Sequence, residues 1–203
     1  MIRLQNLSKK YLNEWIFRGL SLEIDQHTAI IGANGSGKST LLKVLTGILP
    51  PTEGKIDYLI GQKTISNEDI FRHIAWAAPY QELIEEFTME EMVLFHQKFK
   101  KMYLSPQQIA QETDLERAWH RPIKFFSSGM KQKLKLALAF FSDTPILLLD
   151  EPSSNLDQKN IAWYQTQILQ QKHRLILIAS NQRYEYELCT QKIEIDSFKN
   201  LKY

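Results

Sequence analysis

Long apolar runs are missing from this chain of 203 residues. The uninterrupted ones, such as 146–149, are strand-sized and far short of the ~20 residues of a membrane span. The opening stretch, MIRLQNLSKKY, lacks the continuous apolar segment of a secretory signal. Both absences lead to the expectation of a soluble, intracellular chain that acts at a membrane only through a partner. Cysteine is scarce too. Cys189 stands alone, so no disulfide forms within the chain and a reducing compartment fits. Its simplest role is that of a small apolar core residue. An excess of one charge is also lacking. With 25 basic and 23 acidic residues the net charge is +2, which gives no reason to expect nucleic acid as the main partner. No internal repeat or low-complexity tract appears.

What is present is enough for one domain with a substantial core, or one with a small insertion. Thr28–Ile31, 146–149 and Leu175–Ala179 are short apolar runs. Each is followed by a polar or glycine-rich turn and then by a helical pattern. That is the rhythm of an α/β sheet with parallel strands. Alternating segments before residue 25 and around 56–59 suggest an antiparallel β edge, and PPTEG at 50–54 reads as a turn. From about 81 to 141 the strand rhythm stops. Residues 88–101 read as a helix with Thr88 as N-cap and Glu91 at the third position. Ser105 followed by Pro106 starts another. Residues 128–142 form a third, with Leu134, Leu138 and Phe141 on one face. The expected organisation is one α/β domain over 1–203. Its core, 1–80 and 142–203, has a mainly parallel sheet and is interrupted by a helical subdomain, 81–141.

GANGSGKST, residues 32–40, matches the phosphate-loop pattern G-x-x-x-x-G-K-[ST] at Gly32, Gly37, Lys38 and Ser39. It follows an apolar strand and opens a helix, Lys38–Leu45, the context that separates the motif from a chance match. Glycine lets the backbone wind closely around phosphate oxygens. The amides of Asn34, Gly35, Ser36, Gly37, Lys38, Ser39 and Thr40 then point inward at a helix N-terminus, with Gly32 and Ala33 forming the entry. Lys38 is expected to bridge the terminal phosphates, and Ser39 to give its hydroxyl to Mg²⁺. ILLLDEP ends a buried strand in two carboxylates. At the carboxyl end of a parallel strand, Asp150 lands beside the phosphate loop and can hold Mg²⁺ through a water. Glu151 faces differently, placed to activate a water. The bland alternative is a solvated turn, but an apolar strand leads straight into the pair.

The order of motifs resembles the nucleotide-binding subunits of ATP-binding cassette (ABC) transporters. GANGSGKST is followed by Gln81 in APYQE, then FSSGMKQKLKLALAF, ILLLDEP, and SSNLD at 153–157. The resemblance spans nearly the whole chain. It implies a phosphate-loop NTPase fold with an inserted helical subdomain, and ATP and Mg²⁺ as ligands. Tyr11 falls where the family stacks an aromatic on adenine. Gln81 falls where a glutamine contacts Mg²⁺ and the attacking water and links to the membrane partner. FSSGM, 126–130, is similar to the signature LSGGQ. Ser127 and Gly129 are retained, while Ser128 and Met130 replace a glycine and a glutamine. The resemblance makes Ser127, Ser128, Gly129 and Asp157 contacts to ATP held by a second ATPase subunit, so ATP is sandwiched in a homodimer or heterodimer.

One family residue is absent. In ASNQR, residues 179–183, Asn181 stands where the resemblance expects a histidine at the γ-phosphate. His173 precedes the strand, at its amino end, and does not substitute. Asn181 either donates an amide hydrogen bond to a γ-phosphate oxygen or is a loop residue that leaves the phosphate alone. Metal, lysine and backbone dipoles supply most of the stabilisation in phosphoryl transfer. The resemblance therefore implies a Mg²⁺-dependent ATPase that is slower, or one that turns over only beside a different subunit. It points to the subunit powering a membrane transporter of small exporter type, on the inner face of the cell membrane through a permease. The alternative is a family ATPase that moves nothing and works with a soluble or envelope-remodelling partner.

Overall fold

The computed structural model describes residues 1–199; residues 200–203 of the expected core lie outside the described residues. In chain order the strands and helices are β1 (Ile2–Tyr11), β2 (Glu14–Ile24), β3 (Thr28–Ile31), α1 (Lys38–Leu45), β4 (Glu53–Ile60), β5 (Lys63–Ile65), β6 (Ile74–Ala77), α2 (Met89–Gln97), α3 (Pro106–Glu112), α4 (Ser128–Phe140), β7 (Ile146–Asp150), α5 (Gln158–Gln170), β8 (Leu175–Ala179) and β9 (Gln191–Glu194). Short 3₁₀ turns fill several connections.

The three apolar runs are β3, β7 and β8. They lie in one parallel sheet of order β6-β7-β8-β3-β9. Period-2 alternation divides their side chains between two cores. Ile146, Leu148, Leu177 and Ala179 join α1 and the N-terminal strands. Leu147, Leu149, Ile176 and Ile178 face α2, α3, α4 and α5. A sheet covered on both faces needs strands that are apolar throughout, which is why these runs do not alternate in polarity. Each fully buried Leu or Ile contributes roughly 1.5–3 kcal/mol.

The antiparallel strands do not extend the parallel sheet as an edge. They form a sheet of their own, β2-β1-β4-β5, packed over α1 in the second core. Between β6 and β7 the chain is helical. Two capping boxes start the first two helices as expected. Glu91 N donates to Thr88 Oγ1 (3.2 Å) and Thr88 N to Glu91 Oε2 (2.7 Å). Gln108 N and Ser105 Oγ repeat the pattern in α3.

Two helices stop earlier than their sequence suggests. Helix α2 ends at Gln97 rather than 101, closing in tight turns from Lys98 N to Phe95 O and Phe99 N to His96 O. Lys100 leaves it to place Nζ on the carbonyls of Phe71 and Ile74 (2.5 Å each). Helix α4 ends at Phe140 because Arg174 takes the carbonyls of Ala139 and Phe140 (3.1 and 2.9 Å). Cys189 is half-buried against the helical core, which pushes its thiol up to about 12. It is the inert filler the composition suggested. No helix among the described residues is long and apolar enough to cross a membrane.

Candidate functional site

Four strands of the parallel sheet deliver loops to the same end. The phosphate loop leaves β3, Tyr80 and Gln81 follow β6, Asp150 closes β7, and Asn181 follows β8. In a sheet of this type the carboxyl ends are where ligands bind.

The phosphate loop is wound as its glycines require. Gly32 has φ 153°, and a Cβ there would sit 2.7 Å from Asp196 Oδ2 and 2.8 Å from Ser36 Oγ. Gly37 has φ 107°, and a Cβ would come within 2.4 Å of Ile16 Cγ2. It is the N-cap of α1, so the loop turns directly into the helix. Ser36 N donates to Ala33 O (3.0 Å). The Ser36 hydroxyl is buried without a hydrogen-bond partner. Lys38 is buried, and its Nζ donates to Gly32 O (2.8 Å) and Ala33 O (3.1 Å). These bonds hold a full positive charge over the loop.

Asp150 and Glu151 diverge as their adjacency suggests. Asp150 is 1% exposed. Burial raises its pKa, while the nearby Ser39 and Tyr80 hydroxyls and Lys38 pull it back down, against a further push from Glu151. Its Oδ2 accepts from Tyr80 OH (2.9 Å), and its Oδ1 has no hydrogen-bond partner. Glu151 has φ 41°, a left-handed conformation uncommon for such a residue. That turn, fixed by Glu151 N donating to Ala179 O (2.9 Å), swings its carboxylate out to solvent.

The Ser39 hydroxyl and the unpaired Asp150 oxygen are hard donors of the kind Mg²⁺ takes. That ion keeps several waters and relies on one or two protein ligands plus phosphate. Among the described residues no group of three or more His, Cys, Asp or Glu could hold a metal, so an ion held mostly by protein does not fit. Mg²⁺ shared with phosphates does.

Asn181 is brought to the loop: its Nδ2 donates to Asn34 Oδ1 (2.7 Å). His173 stays at the amino end of β8, between Tyr103 OH and Gln170 O (3.2 Å each). Gln81 is not brought to the carboxylates. Its Oε1 accepts from Ala78 N (2.9 Å), which ties the side chain to its own loop. Its neighbour Tyr80 reaches Asp150 instead. Tyr11 closes β1, half-exposed, with Lys9 Nζ 5.4 Å from its ring centroid.

The signature segment lies elsewhere. Ser127 is the N-cap of α4, accepting from Met130 N (3.2 Å). Its hydroxyl proton remains available. Gly129 packs against the following turn, where a Cβ would meet Asn155 O at 3.0 Å. Ser127, Ser128, Gly129, Asn155 and Asp157 line one cleft of about 450 Å³, which no phosphate-loop residue lines. Asp157 itself is exposed and caps α5, accepting from Asn160 N (2.9 Å).

Two carboxylates were not visible as site residues in the sequence. Glu185 is buried beneath the site. Its Oε1 accepts from Ser153 N (2.7 Å), and its Oε2 from the Ser180 hydroxyl. Burial raises its pKa, with Ser153 and Ser180 pulling it down. It thereby ties the turn after Glu151 to the loop carrying Asn181. Asp196 Oδ2 accepts from Ala33 N (2.9 Å) and braces the entry of the phosphate loop. A polar residue in a polar stretch gives no sequence signal of such burial. A lone tyrosine in a loop, Tyr80 likewise carries no sequence signal of its contact with Asp150.

Comparison with known proteins places this arrangement. Residues 18–154 match the family model described as ABC transporter. The uncharacterized ABC transporter ATP-binding protein YybJ of Bacillus subtilis is 31% identical over 97% of this chain and 93% of its own length. The mouse retinal-specific phospholipid-transporting ATPase ABCA4 is 32% identical over 85% of this chain. The chain spans only 8% of that protein, and 12% of mouse ATP-binding cassette sub-family A member 17. Among solved structures, the ATP-binding cassette MJ0796, dimeric and bound to ADP and Pi after hydrolysis, superposes with TM-score 0.82. It is 21% identical and covers 97% of this chain and 95% of its own, a likeness of fold. An ATP-binding subunit of an ABC transporter superposes equally well at 26% identity, covering 97% and 87%.

Proposed function

The chain belongs to the ABC transporter family as an ATP-binding ATPase subunit, and from this premise we propose how its own residues carry the reaction. The observation that carries the reading is the meeting of the phosphate loop, Ser39 and the unpaired Asp150 oxygen at one end of the parallel sheet. The loop amides of residues 34–40 bind the ATP phosphates, and Lys38 turns its ammonium from the loop carbonyls to the terminal phosphates. Tyr11 stacks on the adenine. Ser39 and Asp150 would hold Mg²⁺, which would supply charge neutralisation in phosphoryl transfer. Glu151, exposed at the turn, takes the proton from the attacking water. Asn181 gives an amide hydrogen bond to a γ-phosphate oxygen in place of a cation, and turnover is slower for it.

The division of labour follows the fold. We assign 1–80 and 142–203 to the nucleotide-binding core and 81–141 to the helical subdomain. The cleft of Ser127, Gly129 and Asp157 serves ATP held by a second ATPase subunit. That makes a dimer with composite sites the working form. The dimer drives a membrane permease from the inner face of the membrane. We assign export as the direction from the resemblance of FSSGM, residues 126–130, and of the chain's size to small ATPases that serve exporter-type membrane subunits.

The test is ATP hydrolysis against protein concentration, with and without Mg²⁺ and with Glu151→Gln as control. The reading expects Mg²⁺-dependent rates that climb faster than linearly and vanish in the variant. Strictly linear rates, or a variant as active as the parent, would contradict it. Copurification with a polytopic membrane protein supports the transport role; a soluble scaffold in its place would point to the alternative.

A further inference from the structure

Tyr80 has no part in the reaction just described, yet its phenol is hydrogen-bonded to the carboxylate at the centre of the site. Its hydroxyl donates to Asp150 Oδ2 at 2.9 Å. The ring is held from two sides. Lys43 Nζ, from α1, lies 4.1 Å from its centroid, and Trp76, from β6, meets it edge-on at 5.8 Å and 61°. The phenol is therefore fixed by the helix that the phosphate loop opens and by the strand beside β7, while its backbone lies on the loop leading to the helical segment.

A buried carboxylate has two oxygens and about four lone-pair sites. At Asp150 one oxygen is spent on Tyr80, and the other has no hydrogen-bond partner. A neutral donor suits this task better than a basic one. Lys or Arg at the same place would neutralise the charge that a cation needs, whereas a phenol fixes the carboxylate and leaves that charge intact.

We propose that Tyr80 is a positioning residue for the divalent cation: by anchoring Oδ2 of Asp150 it turns Oδ1 toward the cation and its water shell. The inference rests on the assignment of Asp150 to the cation made above. Hydrogen-bond partners of metal-binding carboxylates typically control affinity by roughly 10–100-fold.

The experiment measures ATP affinity by calorimetry in the Glu151→Gln background, where ATP persists, in excess Mg²⁺ and in EDTA. The added change is Tyr80→Phe, which keeps the ring against Lys43 and Trp76 and removes only the hydroxyl. The expected result is an unchanged affinity in EDTA and a Mg²⁺-dependent gain reduced by about tenfold or more, with an unaltered thermal unfolding midpoint. An undiminished gain overturns the inference. A larger gain overturns it too, because the phenol would then be a competitor for Asp150. Equal losses with and without Mg²⁺ overturn it by placing the effect on the loop. A parent protein that binds ATP no better with Mg²⁺ than with EDTA would remove the assignment of Asp150 itself, an outcome distinguishable from failure at Tyr80 alone.

Discussion

Asp150 and Arg174 lie at opposite ends of the same parallel sheet, each charged and each almost wholly buried. Arg174, at the amino end of β8, uses both terminal nitrogens and leaves only its Nε without a hydrogen-bond partner. It donates to the carbonyls of Ser142 (2.8 Å), Ala139 (3.1 Å) and Phe140 (2.9 Å) and to Thr144 Oγ1 (3.3 Å). Two of these acceptors, Ala139 and Phe140, are the last carbonyls of α4, where unpaired carbonyls and the helix dipole favour a cation. Asp150, at the carboxyl end of β7, keeps one oxygen unpaired. An orphaned buried polar atom is destabilising; the one at Asp150 lies beside Ser39 and Lys38 of the phosphate loop, where a ligand can complete it. The lesson is that neither burial of a charge nor one unpaired atom marks a site by itself; Arg174 is already compensated by four acceptors of the fold, whereas Asp150 stands beside the phosphate loop.

Predictions can break or sharpen this contrast. The largest effect is expected at the site end. Glu151→Gln should lower ATP turnover by about 10²–10⁴-fold, measured as phosphate release at saturating ATP, with the unfolding midpoint unmoved. At the other end the effect should fall on stability. Arg174→Met leaves buried carbonyls unpaired and should lower unfolding free energy by about 3 kcal/mol, read by denaturant titration, with ATP affinity per folded molecule unchanged. A smaller gain is expected from Asn181→His. Replacing a neutral donor by a charged one is worth about 1 kcal/mol, or roughly fivefold in turnover; unchanged or lower turnover counts against a γ-phosphate role for Asn181.

A pH-dependent effect concerns His96, whose Nε2 meets Ser142 Oγ at 2.9 Å. Burial, with the charge of Lys100 as a lesser cause, lowers its pKa from 6.5 to about 4. The unfolded chain therefore binds more protons between those values, so stability rises with pH across that window and is lost as pH falls through it. His96→Gln should flatten that slope in urea titrations from pH 4 to 7.

Much of this was legible because it is local. The phosphate loop, Thr28–Ile31, Lys38–Leu45 and the capping signals at Thr88 and Ser105 are each written within a few adjacent residues. What stayed hidden depends on residues far apart. Strands β5, β6 and β9 have three or four residues, too few for periodicity to register; β3 is as short but is marked by the phosphate loop that follows it. Their places come from pairing with distant strands. For the same reason β1, β2 and β4 could be read as strands, but not as members of a separate sheet. At the site, Asp150 could be placed from a strand end, and Asn181 from a strand end together with the family resemblance. Glu185 could not, because its burial is set by Ser153 and Ser180 from two other segments. Gln81, which the resemblance makes a contact to Mg²⁺ and the attacking water, has its Oε1 on Ala78 N, and its neighbour Tyr80 is the residue bonded to Asp150.

The most direct measurement is ATP binding by Asp150→Asn, in Mg²⁺ and in EDTA, alongside its unfolding midpoint. The account predicts that the Mg²⁺-dependent gain in affinity disappears while stability holds or rises, since the substitution removes a desolvated charge that the fold leaves incompletely paired. A retained gain, or a destabilisation like that expected for Arg174→Met, would show that Asp150 is a structural charge and would contradict the account.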